Sequence, residues 1–180
     1  MGALKIEFTD KEITLWGGMV LFKQMLDKIS FDKVLEECNM PTQGSNRGYS
    51  AEQLVKTFLV SVWCGANCFD HLEVTRNDYA IKEIFGWNKM PAHRAFKRYF
   101  QKFDQETNQK VFSSLYQWFF SNLQFDSYTL DFDSSVFTRH VEQEGAKKGY
   151  NPKKPGRKSH HPLFAFVAEC RMLANFWLRP

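Results

Sequence analysis

Two aspartates separated by a single residue, Asp131 and Asp133, carry the sharpest chemical signal in the sequence. Around them the apolar period is two. Tyr128, Leu130 and Phe132 alternate with Thr129, Asp131 and Asp133, which predicts a strand from Ser127 with one apolar face and both carboxylates on the other. Like charges held that close repel unless a cation, a basic partner or water offsets them. Hard oxygen ligands suit Mg2+ or Mn2+, and two such ions about 3.5 to 4 Å apart can activate water or a 3'-hydroxyl for in-line attack on a phosphodiester. The same spacing also fits a polar sheet face at a domain edge, and spacing alone leaves both readings open.

The remaining charge clusters are cationic. The segment Gly145 to His161 holds Lys147, Lys148, Lys153, Lys154, Arg157 and Lys158 and no acid, a local positive patch in a chain whose net charge is only +4. Asn151-Pro152, Lys154-Pro155 and Gly156 break regular structure, which predicts a mobile basic loop. A second cluster lies on a helix that Pro91 is expected to open. There Phe96, Tyr99, Phe100 and Phe103 recur at the spacing of one buried face, and Arg94, Lys97, Arg98 and Lys102 fall on the other. Such a face is what a helix-turn-helix recognition helix offers to DNA, and it is equally what a solvated amphipathic helix shows.

Other reactive side chains point to structure. His160 and His161 are adjacent, so on a strand they face opposite ways and cannot chelate together. Ser134 and Ser135 have no nearby base and suit backbone bonding at a strand end. Cys64 and Cys68 are spaced to share a helix face, but no second pair completes a zinc site. All four cysteines, with Cys38 and Cys170, are expected as buried free thiols.

The elements that must position these groups change character near residue 126. Before it the periodicity is helical: Gly18 to Ile29, then Ala51 to Trp63 behind an N-cap Ser50 with Gln53 as capping-box partner, then Asp78 to Phe85 stopped by Gly86. Residues 39 to 49 form a loop. A helix from Gln105 to Leu123 carries Val111, Leu115, Trp118, Phe119 and Leu123 on a core stripe. After residue 126, Pro162 to Glu169 suits a strand buried on both faces, and Met172 to Leu178 its hairpin partner. The expected fold class is α+β, with a helical region over 1 to 125 and three strands over 126 to 180. Hydrophobic residues at 43% and aromatics at 16% are ample for a packed core. No apolar run approaches the roughly 18 residues of a membrane span, and no signal peptide opens the chain, so a cytoplasmic location without membrane contact is expected.

The blocks Leu130-Asp131-Phe132-Asp133-Ser134-Ser135-Val136, Glu142-Gln143-Glu144-Gly145-Ala146, Gly149-Tyr150-Asn151-Pro152, Gly156-Arg157-Lys158-Ser159-His160-His161-Pro162-Leu163 and Leu178-Arg179-Pro180 occur in this order. They resemble the opening of the catalytic domain of bacterial insertion-sequence DDE transposases, in particular the thirteen-eighty group. A looser resemblance covers the helical region, including Met90-Pro91. The resemblance implies a helical DNA-binding region followed by the first strands of an RNase H-like core, and an enzyme that cuts transposon ends and joins them to target DNA. It also implies an Asp, Asp, Glu triad holding Mg2+ or Mn2+, with double-stranded DNA as partner and with Asp133 as the first triad member. Asp131 is a neighbouring metal-ligand candidate. Val141 stands where such relatives often carry glycine. In that family pattern the second Asp and the Glu follow the third strand, so the 180 residues are expected to be a truncated core. Its first strand would keep an unpaired edge open to self-association. Two functions then stand for the polypeptide itself: an enzyme part completed by another frame or chain, or a DNA-binding remnant that antagonises the full transposase.

Overall fold

The computed structural model describes residues 9–42, 44 and 48–179. They form two compact units, residues 1–115 and 116–180. The first is helical: α1 (Met19–Lys28), α2 (Phe31–Glu37), α3 (Ala51–Trp63), a 3-10 turn (Phe69–His71), α4 (Leu72–Arg76), α5 (Tyr79–Phe85) and α6 (His93–Phe100). Helix α7 (Gln105–Ser121) crosses the boundary between the units.

Local chemistry explains most of these limits. Ser50 Oγ accepts from Gln53 N at 3.1 Å and starts α3, while Asp78 Oδ1 accepts from Ile81 N at 2.9 Å and starts α5. Gly86, at φ +66°, ends α5 in the left-handed conformation that glycine adopts without strain. Only half of the expected capping box forms. The Gln53 side chain turns away and donates to Lys89 O at 3.0 Å, tying the stretch before α6 to α3.

Helix α6 begins two residues later than expected, because Pro91 is buried and Ala92 is the N-cap. Alanine has no acceptor to offer. The free N–H of His93 donates instead to Glu73 Oε1 of α4 at 3.0 Å, and the same carboxylate accepts from Arg76 Nη1 at 2.7 Å. The His93 N–H holds the Glu73 carboxyl at about 2, well below its ordinary value, with Arg76 and the His93 ring adding to the effect. Arg76 Nε and Tyr49 OH both donate to Met90 O, fixing the residue before Pro91.

The helical core joins Ala51 and Leu54 of α3 to Leu72 of α4 and to Phe96 and Tyr99 of α6. Phe58 packs among Phe69, Phe96 and Phe100, with ring centroids 5.3 to 6.3 Å apart. Of the four aromatics expected on one buried face of α6, Phe96 and Tyr99 are fully buried. Phe100 is 36% exposed and Phe103 lies beyond the helix end. Tyr99 pays for its depth: its hydroxyl is a buried polar atom without a partner among the described residues, and burial pushes its pKa up to about 12. On α7 only Val111 of the expected stripe is buried, and the helix stops at Ser121. The cysteines are free as expected, yet only Cys38 is buried; α3 ends at Trp63, so Cys64 and Cys68 share no helix.

In the second unit β1 (Leu130–Ser134), β5 (Leu163–Val167) and β6 (Met172–Trp177) form an antiparallel sheet in the order β1-β5-β6. A bulge interrupts the β5–β6 register at Ala165/Phe166, and the turn between the strands closes with Arg171 at φ +55°. Strand β5 is buried at Ala165 and Val167 but half-buried at Leu163, Phe164 and Phe166, so one face is covered more fully than the other. Strand β1 is an edge strand exposed along its whole length, with Phe132 61% exposed. The segment 145–161 has the expected irregular backbone over 149–157, but short strands flank it. Its ends are β3 (Lys147–Lys148) and β4 (Lys158–His160), which join β2 (Phe137–Thr138) in a second small sheet of order β2-β4-β3. The turn-forming residues lie between the paired ends, in bends and turns, as their composition predicts.

Glu73→Gln should lower stability by about 1 kcal/mol near neutral pH, since it weakens the cap that Ala92 cannot supply. The carboxyl value is depressed on folding, so its contribution is complete above about 4.5 and is lost as pH falls toward 2. Denaturant midpoints for both proteins across that range should therefore converge on acidification; parallel curves would show that Glu73 does not act as a charged cap.

Candidate nucleic-acid interface and carboxylate pair

The β1–β5 register places Asp131 opposite Phe166 and Asp133 opposite Phe164, so both carboxylates stand on one sheet face beside aromatic rings. Phe164 lies 6.0 Å from Phe166, 6.2 Å from Phe176 and 6.3 Å from Phe137, measured between centroids. The face that carries the carboxylates is therefore aromatic as well as acidic, and no cation sits opposite either of them in the register. Asp133 Oδ1 accepts from Ser134 N at 2.8 Å, which leaves its other oxygen and the whole Asp131 carboxylate facing solvent.

Two exposed carboxylates suit a divalent ion that keeps most of its water. Among the described residues no three His, Cys, Asp or Glu side chains gather into a group that could hold a metal, so the pair has no third ligand candidate beside it. Glu169, in the β5–β6 turn, accepts from Thr129 N at 2.9 and 3.1 Å, and that contact holds its carboxyl below the usual range. It fastens the start of β1 to the turn. Nothing in its sequence position marks that role.

Arg94, Lys97 and Arg98 on α6 are exposed, and Lys102, expected on the same helix, is exposed in the turn beyond its end. Two have partners within the unit: Lys97 Nζ lies 5.8 Å over the Phe69 ring and 3.9 Å from Asp70, and Lys102 Nζ donates to Thr42 O at 2.7 Å. Arg94 and Arg98 remain as the solvent-facing pair. Residues 86–92 connect α5 to α6, a longer link than the three or four residues of a compact helix-turn-helix, and α6 packs on α3 and α4 through Phe96 and Tyr99.

The cations of 145–161 are displayed by the small sheet and its long β3–β4 connection. Lys147, Lys148, Lys153, Lys154 and Arg157 are exposed, while Lys158 is half-buried and ion-paired to Glu142, just outside the acid-free segment. Two buried side chains shape the display. Asn151 donates to Thr138 Oγ1 at 2.8 Å and accepts from Lys154 N at 3.0 Å. His160 receives the Arg139 Nε–H on Nδ1 at 2.9 Å, and its Nε2 lies 2.9 Å from Glu144 O. An arginine can only donate and a carbonyl can only accept, so the two contacts fit the ring tautomer that carries its proton on Nε2. His161 points the other way and meets Ser159 Oγ at 3.2 Å, as adjacent strand positions require. Ser135 N donates to Pro162 O at the end of β1.

A family model described as Transposase DDE domain group 1 matches residues 2–180. The chain belongs to this family. No curated protein and no solved structure matched the chain. Membership brings transposition as the family's activity, DNA as its substrate and a general use of divalent metal ions. Among the described residues of this transposase-family chain, no helix is long and apolar enough to cross a membrane.

If His160 and Asn151 hold the basic segment, His160→Ala and Asn151→Ala should expose Lys147 to Lys158 to trypsin without DNA present. Cleavage there should be faster in each variant than in the wild type, read by mass spectrometry of early fragments. Equal cleavage rates would remove both residues from that role.

Proposed function

We propose that this chain is the DNA-binding and first catalytic part of a bacterial insertion-sequence transposase of the thirteen-eighty group, acting on double-stranded DNA at transposon ends in the cytoplasm. The observation that carries the reading is the family match across the chain, taken with Asp133 on the first strand of the sheet, directly before Ser134 and Ser135. In this reading residues 1–125 bind DNA and residues 126–180 begin an RNase H-like core.

Each group then has a task. Asp133, with Asp131 beside it, contributes carboxylate oxygens to Mg2+ or Mn2+. A divalent ion held there supplies charge stabilisation for attack on a scissile phosphodiester. Ser134 N orients the Asp133 carboxylate by donating to Oδ1. Arg94 and Arg98, aided by Lys97 and Lys102, meet backbone phosphates from the outer face of α6. Lys147, Lys148, Lys153, Lys154, Arg157 and Lys158 form a second phosphate-binding surface near the carboxylate strand in sequence. With only two carboxylates grouped on β1 among the described residues, this polypeptide by itself binds DNA without cutting it, and completing the reaction requires further acidic ligands.

Two measurements test the reading. The Arg94→Ala/Arg98→Ala double variant should weaken binding to end-bearing DNA and lower the slope of log affinity against log salt by about one for each lost phosphate contact. Purified wild-type chain with Mn2+ and the same DNA should generate no new 3'-hydroxyl ends. Unchanged affinity and slope would return α6 to a solvated face, and metal-dependent nicking abolished by Asp133→Ala would show that the polypeptide is catalytically sufficient.

A further inference from the structure

The register of the small sheet brings together three cations that the sequence separates. Phe137 pairs with His160 and Thr138 with Ser159, and the Arg139 N–H continues the ladder by donating to Lys158 O at 2.9 Å, which sets Arg139 opposite Lys158. On the other side of β4, Lys148 is opposite Lys158. Residues directly opposite across antiparallel strands point to one face, so Arg139, Lys158 and Lys148 form a single cross-strand row. Like charges in that arrangement destabilise a sheet, and this sheet has few residues with which to offset the cost. One anion answers them: the exposed Glu142 carboxylate, paired with the central Lys158. The row retains an excess of two positive charges.

The Arg139 end is built, not merely exposed. Its Nε donates to the buried His160, whose other nitrogen is held by Glu144 O, and its guanidinium lies 5.7 Å over the Phe137 ring. Gly145, at φ +75° where a side chain would be strained, lies in ordinary contact range of the His160 ring. This support uses one edge of the guanidinium and leaves the Nη groups, which suit the paired oxygens of a phosphate.

We infer that the row Arg139–Lys158–Lys148 is a binding site for a backbone phosphodiester of duplex DNA, and that Glu142 is the resident counter-ion the phosphate displaces. The inference rests on the proposed function and deepens it. It adds Arg139 and Glu142, which carry no role in that reading, and it separates Lys148 and Lys158 from the other cations of the segment. His160 is a positioning residue: it aims Arg139 and touches no DNA.

The test is fluorescence anisotropy of a short mixed-sequence duplex, with single-stranded DNA as a second arm, across a salt series. Lys148→Gln and Arg139→Gln should each weaken duplex binding severalfold and each lower the salt slope by about one. Glu142→Gln, which removes the competing carboxylate, should tighten binding at low salt. Thermal melts identify any variant that fails to fold, and Lys148→Gln, altering an exposed side chain, keeps the test decisive if Arg139→Gln does not. Wild-type binding that Lys148→Gln and Glu142→Gln leave unchanged overturns the row while sparing the DNA-binding reading. Equal losses on single strands alone overturn the duplex assignment. Absence of any wild-type binding overturns the proposed function itself.

Discussion

The pairing of β1 with β5 is the constraint on which the chemistry of the second unit depends. Alternation along β1 can put Asp131 and Asp133 on a common face, but a one-residue slip against β5 would change every neighbour of that face. The observed register, from Leu130 with Val167 to Ser134 with Leu163, sets the carboxylates beside Phe166 and Phe164. The ladder is bounded by two further contacts, Glu169 with Thr129 N at one end and Ser135 N with Pro162 O at the other. Because β5 also pairs with β6, the central strand is held on both sides, and β1 and β6 are the two edges of the sheet. An edge position leaves both carboxylates accessible and also leaves Leu130 and Phe132 exposed.

The helical unit solves a different problem, that of holding a short basic helix in place. Helix α6 has one strongly apolar side, and burial of Phe96 and Tyr99 fixes its rotation. Its N-terminus would otherwise leave His93 N unpaired behind an alanine cap. Glu73 supplies the missing acceptor from another helix, and Gln53, Tyr49 and Arg76 fasten the carbonyls of Lys89 and Met90. Rotation and register together leave Arg94 and Arg98 facing solvent.

Legibility from sequence follows the range of the interaction. The Ser50 cap, the Asp78 cap and the Gly86 stop act within a few residues, and α3 and α5 are readable from them. The β5–β6 hairpin is readable for the same reason. What could not be read is built by partners far apart in the chain: Glu73 capping His93, Gln53 leaving its capping box for Lys89 O, and Arg139 locked by His160. The segment 145–161 shows both the readable and the unreadable part. Its prolines and glycines are real turn formers, yet pairing of Lys147 and Lys148 with β4 depends on register, which composition does not encode. The Asp131/Asp133 pair was visible as a pattern of alternation, whereas its aromatic surroundings became visible only with the pairing.

The central claim, that Asp131 and Asp133 form the metal-binding end of a DDE-family strand, is tested most directly by paramagnetic broadening of backbone amide resonances during Mn2+ titration. The account predicts selective loss of signal along Leu130 to Ser134 and at their partners Phe164 and Phe166, abolished in Asp131→Asn/Asp133→Asn, with α6 unaffected. Broadening centred elsewhere, or persisting in the double variant, would contradict it.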